Sequence, residues 1–369
     1  MIKILFLINT LGGGGAEKVL VNLVNNMDYS KFDITVETMF DDGVNAKLLN
    51  KEIRYISKKA LCPRGIAQIF RFFSSKQLFK FFIGDEKYDI LVAYMHGAPV
   101  KVISGCTDKH TKKISWLHNG NPATGTFFKF WFSEKNAIKV YEKLDAVVGV
   151  SNSVSKAFSD YTKISENIIT VYNTNDVKKI IDLSAEKAEK DKSVIDIMSV
   201  GRISHEKGYL RFFEVCNKLK KEYREIKVTV IGSGEEENEL RTLVEKNNAS
   251  DWFILTGFQC NPYKYLANAD LFVCPSYVEG LSTAVTEAII LGIPSVSTDV
   301  SGAKEILGEN NEYGIVVDNS EEGLFNGMKM MLSDIQIRED YREKANKRAE
   351  FFKTENTVRQ AEKLFMKYM

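Results

Sequence analysis

Short apolar runs recur along this chain, each followed by a longer stretch with helical periodicity. In the first half the runs are Ile2–Ile8, Phe32–Glu37, Asp89–Tyr94, Lys112–Trp116 and Asp145–Val150, and a helix opens at Ala16 after the first of them. Strand, helix, strand at this spacing predicts a parallel sheet, because parallel neighbours need a crossover, and the crossover helices cover both faces. The rhythm breaks near Asn173–Ser193, where the polar segment Asp182–Ser193 reads as a solvated linker or helix. It restarts with Val194–Val200, Ile226–Ile231, Trp252–Leu255, Leu271–Cys274, Pro294–Ser297 and Ile315–Val317. Beyond Asn319 only helical pattern remains, over Gly323–Leu332 and Ile335–Met369. The expected fold class is α/β: two Rossmann-like, doubly wound domains over 1–178 and 179–350, with a closing helix over 351–369 that packs back on the first.

A length of 369 residues suits two such domains, each with its own core. Hydrophobic residues at 44% and charged residues at 27% exclude collagen-like and wholly disordered chains. The net charge of +1 gives no reason to expect a nucleic-acid partner. It hides an asymmetry, however. Residues 1–178 carry 24 Lys+Arg against 17 Asp+Glu and the remainder is net −6, so the first half is the one expected to face something anionic. The five cysteines (Cys62, Cys106, Cys216, Cys260, Cys274) are scattered without a CxxC pair, which points to a reduced, cytoplasmic compartment. Met1–Leu11 lacks a small-residue cleavage site before the glycine run and reads as a buried strand rather than a leader. No uncharged apolar stretch reaches the ~18 residues that a membrane-crossing helix needs.

Ligands of open parallel sheets gather at the carboxyl ends of the strands, so the loops there hold the candidates. Gly12–Gly15 follows the first strand and opens a helix, where amides without Cβ obstruction are able to approach a phosphate. The dinucleotide fingerprint fails at its third position, which is Glu17, although Glu37 ends the second strand where a ribose-binding carboxylate would lie. Gly201-Arg202-Ile203-Ser204-His205-Glu206-Lys207-Gly208 follows another strand and offers a rigid guanidinium fork and a mobile ammonium, both matched to a diphosphate. Pro275–Ser282 follows a third. Its Glu279, with Glu287 eight positions on in the following helix, supplies acceptor-only carboxylates suited to sugar hydroxyls, and amides near Gly280, Leu281 and Ser282 favour phosphate. Neither an Asp-x-Asp motif nor a His/Cys cluster with ligand spacing is present, so no metal and no cofactor is expected.

Taken in order, five motifs resemble the family 4 retaining glycosyltransferases of the GT-B type over nearly the whole chain. They are Gly14–Glu17, Gly201–Gly208, Ile231–Gly234, Gly257–Phe258 and Pro275–Ala288. The resemblance implies two domains facing across a cleft, an acceptor-binding one first and a nucleotide-sugar-binding one second. By the same resemblance, Arg202 and Lys207 hold the donor diphosphate, Glu287 the ribose and Glu279 hydroxyls of the transferred sugar. Gly257 and Phe258 lie near the base, Gly14 and Gly15 beside the reacting end, and His118 matches the active-site histidine. The implied activity is transfer of a hexose-type sugar, with UDP the expected carrier, to a saccharide or lipid-linked acceptor in surface polysaccharide or glycolipid assembly. One departure is Tyr172–Asp176, which stands where many relatives carry Pro-Asn-Gly.

Residues 64–84 contain four basic residues, six phenylalanines and no acid, and Phe127–Phe132 forms a second aromatic cluster. Ile66, Ile69, Phe70 and Phe73 fall on one stripe of a helix and Arg64, Gln68, Arg71 and Ser75 on another. Such a stretch fits an anionic membrane surface, on the inner face of a cell membrane, or else a face buried in the core. Two other functions stay open on the same architecture: an NAD(P)-dependent oxidoreductase and a non-catalytic carbohydrate or lipid binder.

Overall fold

The computed structural model describes residues 1–41, 43–60, 65–119, 127–186, 190–191 and 193–369, so Cys62 and Arg64 lie outside the described residues. The chain divides into two compact units, one of residues 1–175 with 354–369 and one of residues 176–353. The changeovers fall a few residues from 178 and 350, because Asp176 caps the helix Val177–Ser184 by accepting from the Lys179 amide, and that helix packs within the second unit.

The first unit holds seven parallel strands: β1 (Ile2–Thr10), β2 (Phe32–Asp41), β3 (Arg54–Ser57), β4 (Ile90–Ala93), β5 (Lys112–Leu117), β6 (Ala146–Gly149) and β7 (Ile168–Thr170). They run in the order β3-β2-β1-β4-β5-β6-β7. The second unit holds six: β8 (Ile195–Val200), β9 (Ile226–Ile231), β10 (Phe253–Leu255), β11 (Leu271–Cys274), β12 (Ser295–Thr298) and β13 (Ile315–Val317), ordered β10-β9-β8-β11-β12-β13. Central strands such as β4, β6, β11 and β12 are buried along their whole length, which is why each reads as an unbroken apolar or small-residue run. The edge strands β3 and β7 are only partly buried and gave no such run.

In each unit the strand order reverses beside the first strand, between β1 and β4 and again between β8 and β11. Loops leaving those strands diverge to opposite faces of the sheet and open a crevice at their carboxyl ends. Glycine 201 begins the loop after β8 and Pro275 the loop after β11, so topology alone sets the two charged motifs of the second unit side by side.

The terminal pattern of 335–369 is two helices rather than one, Ile335–Ala349 and Thr354–Lys367, with a short turn over Glu350–Phe352 between them. The second of these helices belongs to the first unit. Phe365 meets Phe6 and Phe32 edge-on at 5.7 and 6.3 Å. Its helix is further tied down by Thr354 Oγ1, which donates to the Asn175 carbonyl, and by Glu362, which accepts from the Asp28 amide. The Tyr172–Asp176 segment is likewise fixed: Asn22 Nδ2 donates to the Thr174 carbonyl, and Asn173, Thr174 and Asn175 are buried.

Residues 66–82 do not form one striped helix. Ser74 starts a new one: its hydroxyl accepts from the Gln77 amide while the Gln77 side chain accepts from the Ser74 amide, giving separate helices Ile66–Arg71 and Ser75–Phe82. The break divides the aromatic residues. Phe70 and Phe82 are buried, whereas Ile69, Phe72, Phe73 and Phe81 are exposed.

Candidate active site

Three glycine-containing loops meet at the carboxyl ends of β8, β9 and β10. Gly232, at φ +145°, lies so close to the Gly201 carbonyl that any Cβ would overlap it, and its amide donates to the Gly257 carbonyl at 3.0 Å. The Ile203 amide in turn donates to the Ser233 carbonyl at 3.0 Å. The Gly201, Gly232–Gly234 and Gly257 motifs are therefore one piece of interlocked backbone. Gly208 is the second position that only glycine suits: at φ +68° a Cβ would strike the Pro275 carbonyl. This close approach seats the turn His205–Lys207 against the loop after β11, and the Tyr277 amide donates to the Glu206 carbonyl at 2.7 Å.

The contact puts Lys207 and Glu279 together. Lys207 Nζ donates to Glu279 Oε1 at 2.7 Å, with side chains 28% and 11% exposed. Ser276 Oγ donates to the same oxygen at 2.8 Å, and the buried Cys274 thiol lies 3.9 Å from it. Burial disfavours the Lys207 charge, but the Glu279 carboxylate outweighs it and holds the ammonium above its ordinary pKa. Burial also pushes the Cys274 thiol up, and Glu279 adds to that, so the sulfur stays protonated. An ammonium and an acceptor-only carboxylate thus sit at the strand crossover, one able to turn to a diphosphate and the other to hydroxyls.

Sequence reasoning missed Arg211, which holds this loop in place. Its guanidinium is buried, donates to the Pro275 carbonyl through Nε and Nη2 and to the Ser276 carbonyl at 2.8 Å, and reaches Asn319 Oδ1 at 2.7 Å. Its centre lies 3.7 Å from the Tyr277 ring centroid. Asn319 and Thr298 secure the same loop from the other side, donating to the Tyr277 and Ser276 carbonyls. The one sequence signal was a basic residue among the buried Tyr209, Phe212 and Phe213 of its helix.

The remaining candidates take varied positions. Arg202 is exposed, and among the described residues no ion pair engages its side chain. Glu287 is buried in the helix Thr283–Ile290, which Ser282 caps by accepting from the Val285 amide at 3.4 Å. Leu281 is buried beside Gly302, Gly280 is buried as well, and Phe258 is 62% exposed after Gly257.

In the first unit Gly14 caps the helix Gly15–Asn26 without a side-chain bond, and the Glu17 carboxylate folds back over Gly14. A carboxylate there disfavours the pyrophosphate of a dinucleotide. Glu37 is buried, and burial raises its carboxyl to about 7. His118 follows β5, with its ring 4.8 Å from Tyr94 and its Nε2 buried without a hydrogen-bond partner among the described residues. Burial, with His96 close by, pushes its pKa down to about 3, and a bond to the Tyr94 backbone opposes the shift, so the imidazole is neutral at physiological pH. His96, after β4, was not foreseen. It stacks on Phe127 at 4.0 Å and 5°, and burial lowers it to about 4.

Among the described residues no group of three or more His, Cys, Asp and Glu side chains is placed to hold a metal ion. Cys106, Cys216, Cys260 and Cys274 are free thiols. No helix among the described residues is long and apolar enough to cross a membrane.

Two parallel, doubly wound sheets, one in each unit, make up the GT-B fold. Residues 181–348 match the sequence family described as "Glycosyl transferases group 1". HepE of Anabaena, solved with UDP and glucose, superposes with a TM-score of 0.78 over 100% of both chains at 18% identity, a likeness of fold. In sequence the chain is 28% identical to the N-acetylgalactosamine-N,N'-diacetylbacillosaminyl-diphospho-undecaprenol 4-alpha-N-acetylgalactosaminyltransferase of Campylobacter jejuni, over 99% of this chain and 100% of that one. A second Campylobacter jejuni enzyme, the GalNAc-alpha-(1->4)-GalNAc-alpha-(1->3)-diNAcBac-PP-undecaprenol alpha-1,4-N-acetyl-D-galactosaminyltransferase, is 22% identical over 95% of each chain.

Proposed function

We propose that this chain is a retaining glycosyltransferase that moves a hexose-type sugar from a UDP donor to a saccharide carried on a lipid diphosphate, in assembly of a surface polysaccharide or glycolipid. The observation that carries the reading is the 2.7 Å Lys207–Glu279 contact at the β8/β11 crossover. The whole-length Campylobacter jejuni relatives, both named for acceptors on diphospho-undecaprenol, support the acceptor class. The bond from the anomeric carbon to the donor phosphate breaks with its electron pair left on the phosphate oxygen. Lys207, Arg202 and the amides of Gly280, Leu281 and Ser282 stabilise that growing charge, which is where prearranged donors act most strongly. Glu279 turns from Lys207 to the sugar hydroxyls, Glu287 takes the ribose, and Gly257 and Phe258 lie by the base. Gly14, Gly15 and the neutral His118 meet the reacting end. The acceptor hydroxyl forms the new bond on the same face and gives its proton to the departing phosphate oxygen.

In this reading residues 1–175 bind the acceptor and 176–353 the donor, the cations stand in for a metal, and no cofactor is used. The protein works in the cytoplasm, where the stretch 64–84 meets the anionic inner face of the cell membrane. A panel of UDP-sugars tests it: at least one releases UDP when a lipid-diphosphate saccharide is added, with an unchanged rate in excess EDTA. Absence of turnover with every donor and acceptor rejects it. The nicotinamide reading is not favoured, because Glu17 stands where the fingerprint needs a third glycine and its carboxylate covers Gly14.

A further inference from the structure

Two segments sixty residues apart expose aromatic rings side by side. Phe72 is 79% exposed and Phe132 65%, and their rings meet edge-to-face at 5.5 Å. Ile69 and Phe73 are exposed on the same turn as Phe72. Behind them the inner rings Phe70 and Phe130 pack at 5.9 Å and are buried. Phenylalanine has no polar tip to justify this exposure to water, and adjoining apolar side chains on a surface mark a contact site.

The arrangement is built, not frayed. Lys101 is only 5% exposed, and its Nζ donates to the Phe70 carbonyl at 2.6 Å and the Phe130 carbonyl at 2.9 Å. Arg71 Nε donates to the Lys129 carbonyl at 2.8 Å. A buried ammonium is costly, and this one satisfies two carbonyls rather than an acid. It pins together the two backbone segments that carry the outer rings two positions further on, at Phe72 and Phe132. The same two segments carry Arg71, Lys76, Lys80 and Lys129, and 65–84 contains no acidic residue.

We infer that Ile69, Phe72, Phe73 and Phe132 form one composite wedge that inserts into the headgroup layer of an anionic bilayer, with the surrounding lysines and Arg71 on the lipid phosphates. The charge selects the occupant. A second copy of the same face would bring like charges together, whereas an anionic lipid surface complements them and leaves the phenyl rings apolar depth to fill. The inference rests on the membrane contact proposed above and assigns it to two segments held by Lys101, not to 64–84 alone.

Flotation of the intact chain with vesicles tests this without any transfer reaction. At about 50 mM salt the protein floats with vesicles containing about 30% phosphatidylglycerol and far less with pure phosphatidylcholine. The double variant Phe72→Ser, Phe132→Ser lowers the partition coefficient at least about tenfold, and Lys76→Glu, Lys80→Glu removes the preference for the anionic lipid. Both keep the wild-type melting temperature and the UDP release seen with a water-soluble acceptor, so loss of binding is separable from loss of fold or of transferase activity. Wild-type protein that stays in solution, or a double Phe variant that floats as well as wild type, overturns the inference. So does a concentration-dependent dimer dissolved by the Phe variants in the absence of lipid binding.

Discussion

Lys207 is held above its ordinary pKa by Glu279, so the stability of this pair is complete below about pH 10.5 and is lost only as pH rises through the higher folded value. At neutral pH the ammonium is fully present for a departing diphosphate. Lys207→Ala therefore lowers kcat by about 100- to 1,000-fold while circular dichroism stays that of the wild type, since Ser276 still satisfies Glu279 Oε1. Retention of wild-type turnover would remove Lys207 from the mechanism. Glu37 has the same sign of linkage, at lower pH. Its carboxyl is raised by burial to about 7, so the folded chain holds a proton that the unfolded one gives up, and stability falls as pH climbs from about 4.5 to 7. Glu37→Gln is expected to stabilise the protein by about 2–3 kcal/mol at pH 8 and by almost nothing at pH 4, read by urea unfolding at the two pH values. The charged residues were legible in the sequence, but their contacts were not. Arg202 and Lys207 are equivalent in the motif, yet one is exposed and the other is ion-paired.

Among the elements, the loop Pro275–Glu279 depends on a side chain from a neighbouring helix. Arg211 holds its carbonyls and stacks on Tyr277, so it acts on the site through the position of Glu279 rather than by touching substrate. Arg211→Leu leaves buried carbonyls unmatched and is expected to lower kcat by about ten- to a hundredfold with a smaller change in donor KM. Arg211→Lys, which keeps a donor, recovers part of the loss. If both variants melt lower but turn over at the wild-type rate, Arg211 is structural only. The residue string marked Arg211 only as a basic residue beside Phe212 and Phe213, because which carbonyls face a helix is set by the loop that packs on it. The strands show the same boundary: β4, β6, β11 and β12 were readable as apolar or small-residue runs, while the partly buried edge strands β3 and β7 were not picked out.

At the scale of the whole molecule, the chain's last helix completes the core of its first unit. Phe365 touches Phe6, Phe32 and Trp116, contacts between residues more than two hundred positions apart. Phe365→Ala is expected to cost about 3–5 kcal/mol, seen as an early calorimetric transition for the first unit, with the second unit's transition unmoved. The core of that second unit, around Phe212, Phe213 and Phe253, contains none of these residues. A single unshifted transition would contradict the assignment of residues 354–369 to the first unit.

The order of apolar and amphipathic segments was enough to determine two doubly wound units and the strand ends where chemistry gathers, because hydrophobic periodicity and crossover geometry are local rules. Glycine spacing marked where backbone had to approach backbone. Tertiary structure alone decided which charges meet, which histidines stay neutral, and which phenylalanines face water. Those outcomes depend on burial and on partners distant in sequence, and a capping pair such as Ser74 and Gln77 turns one apparent helix face into two with opposite environments.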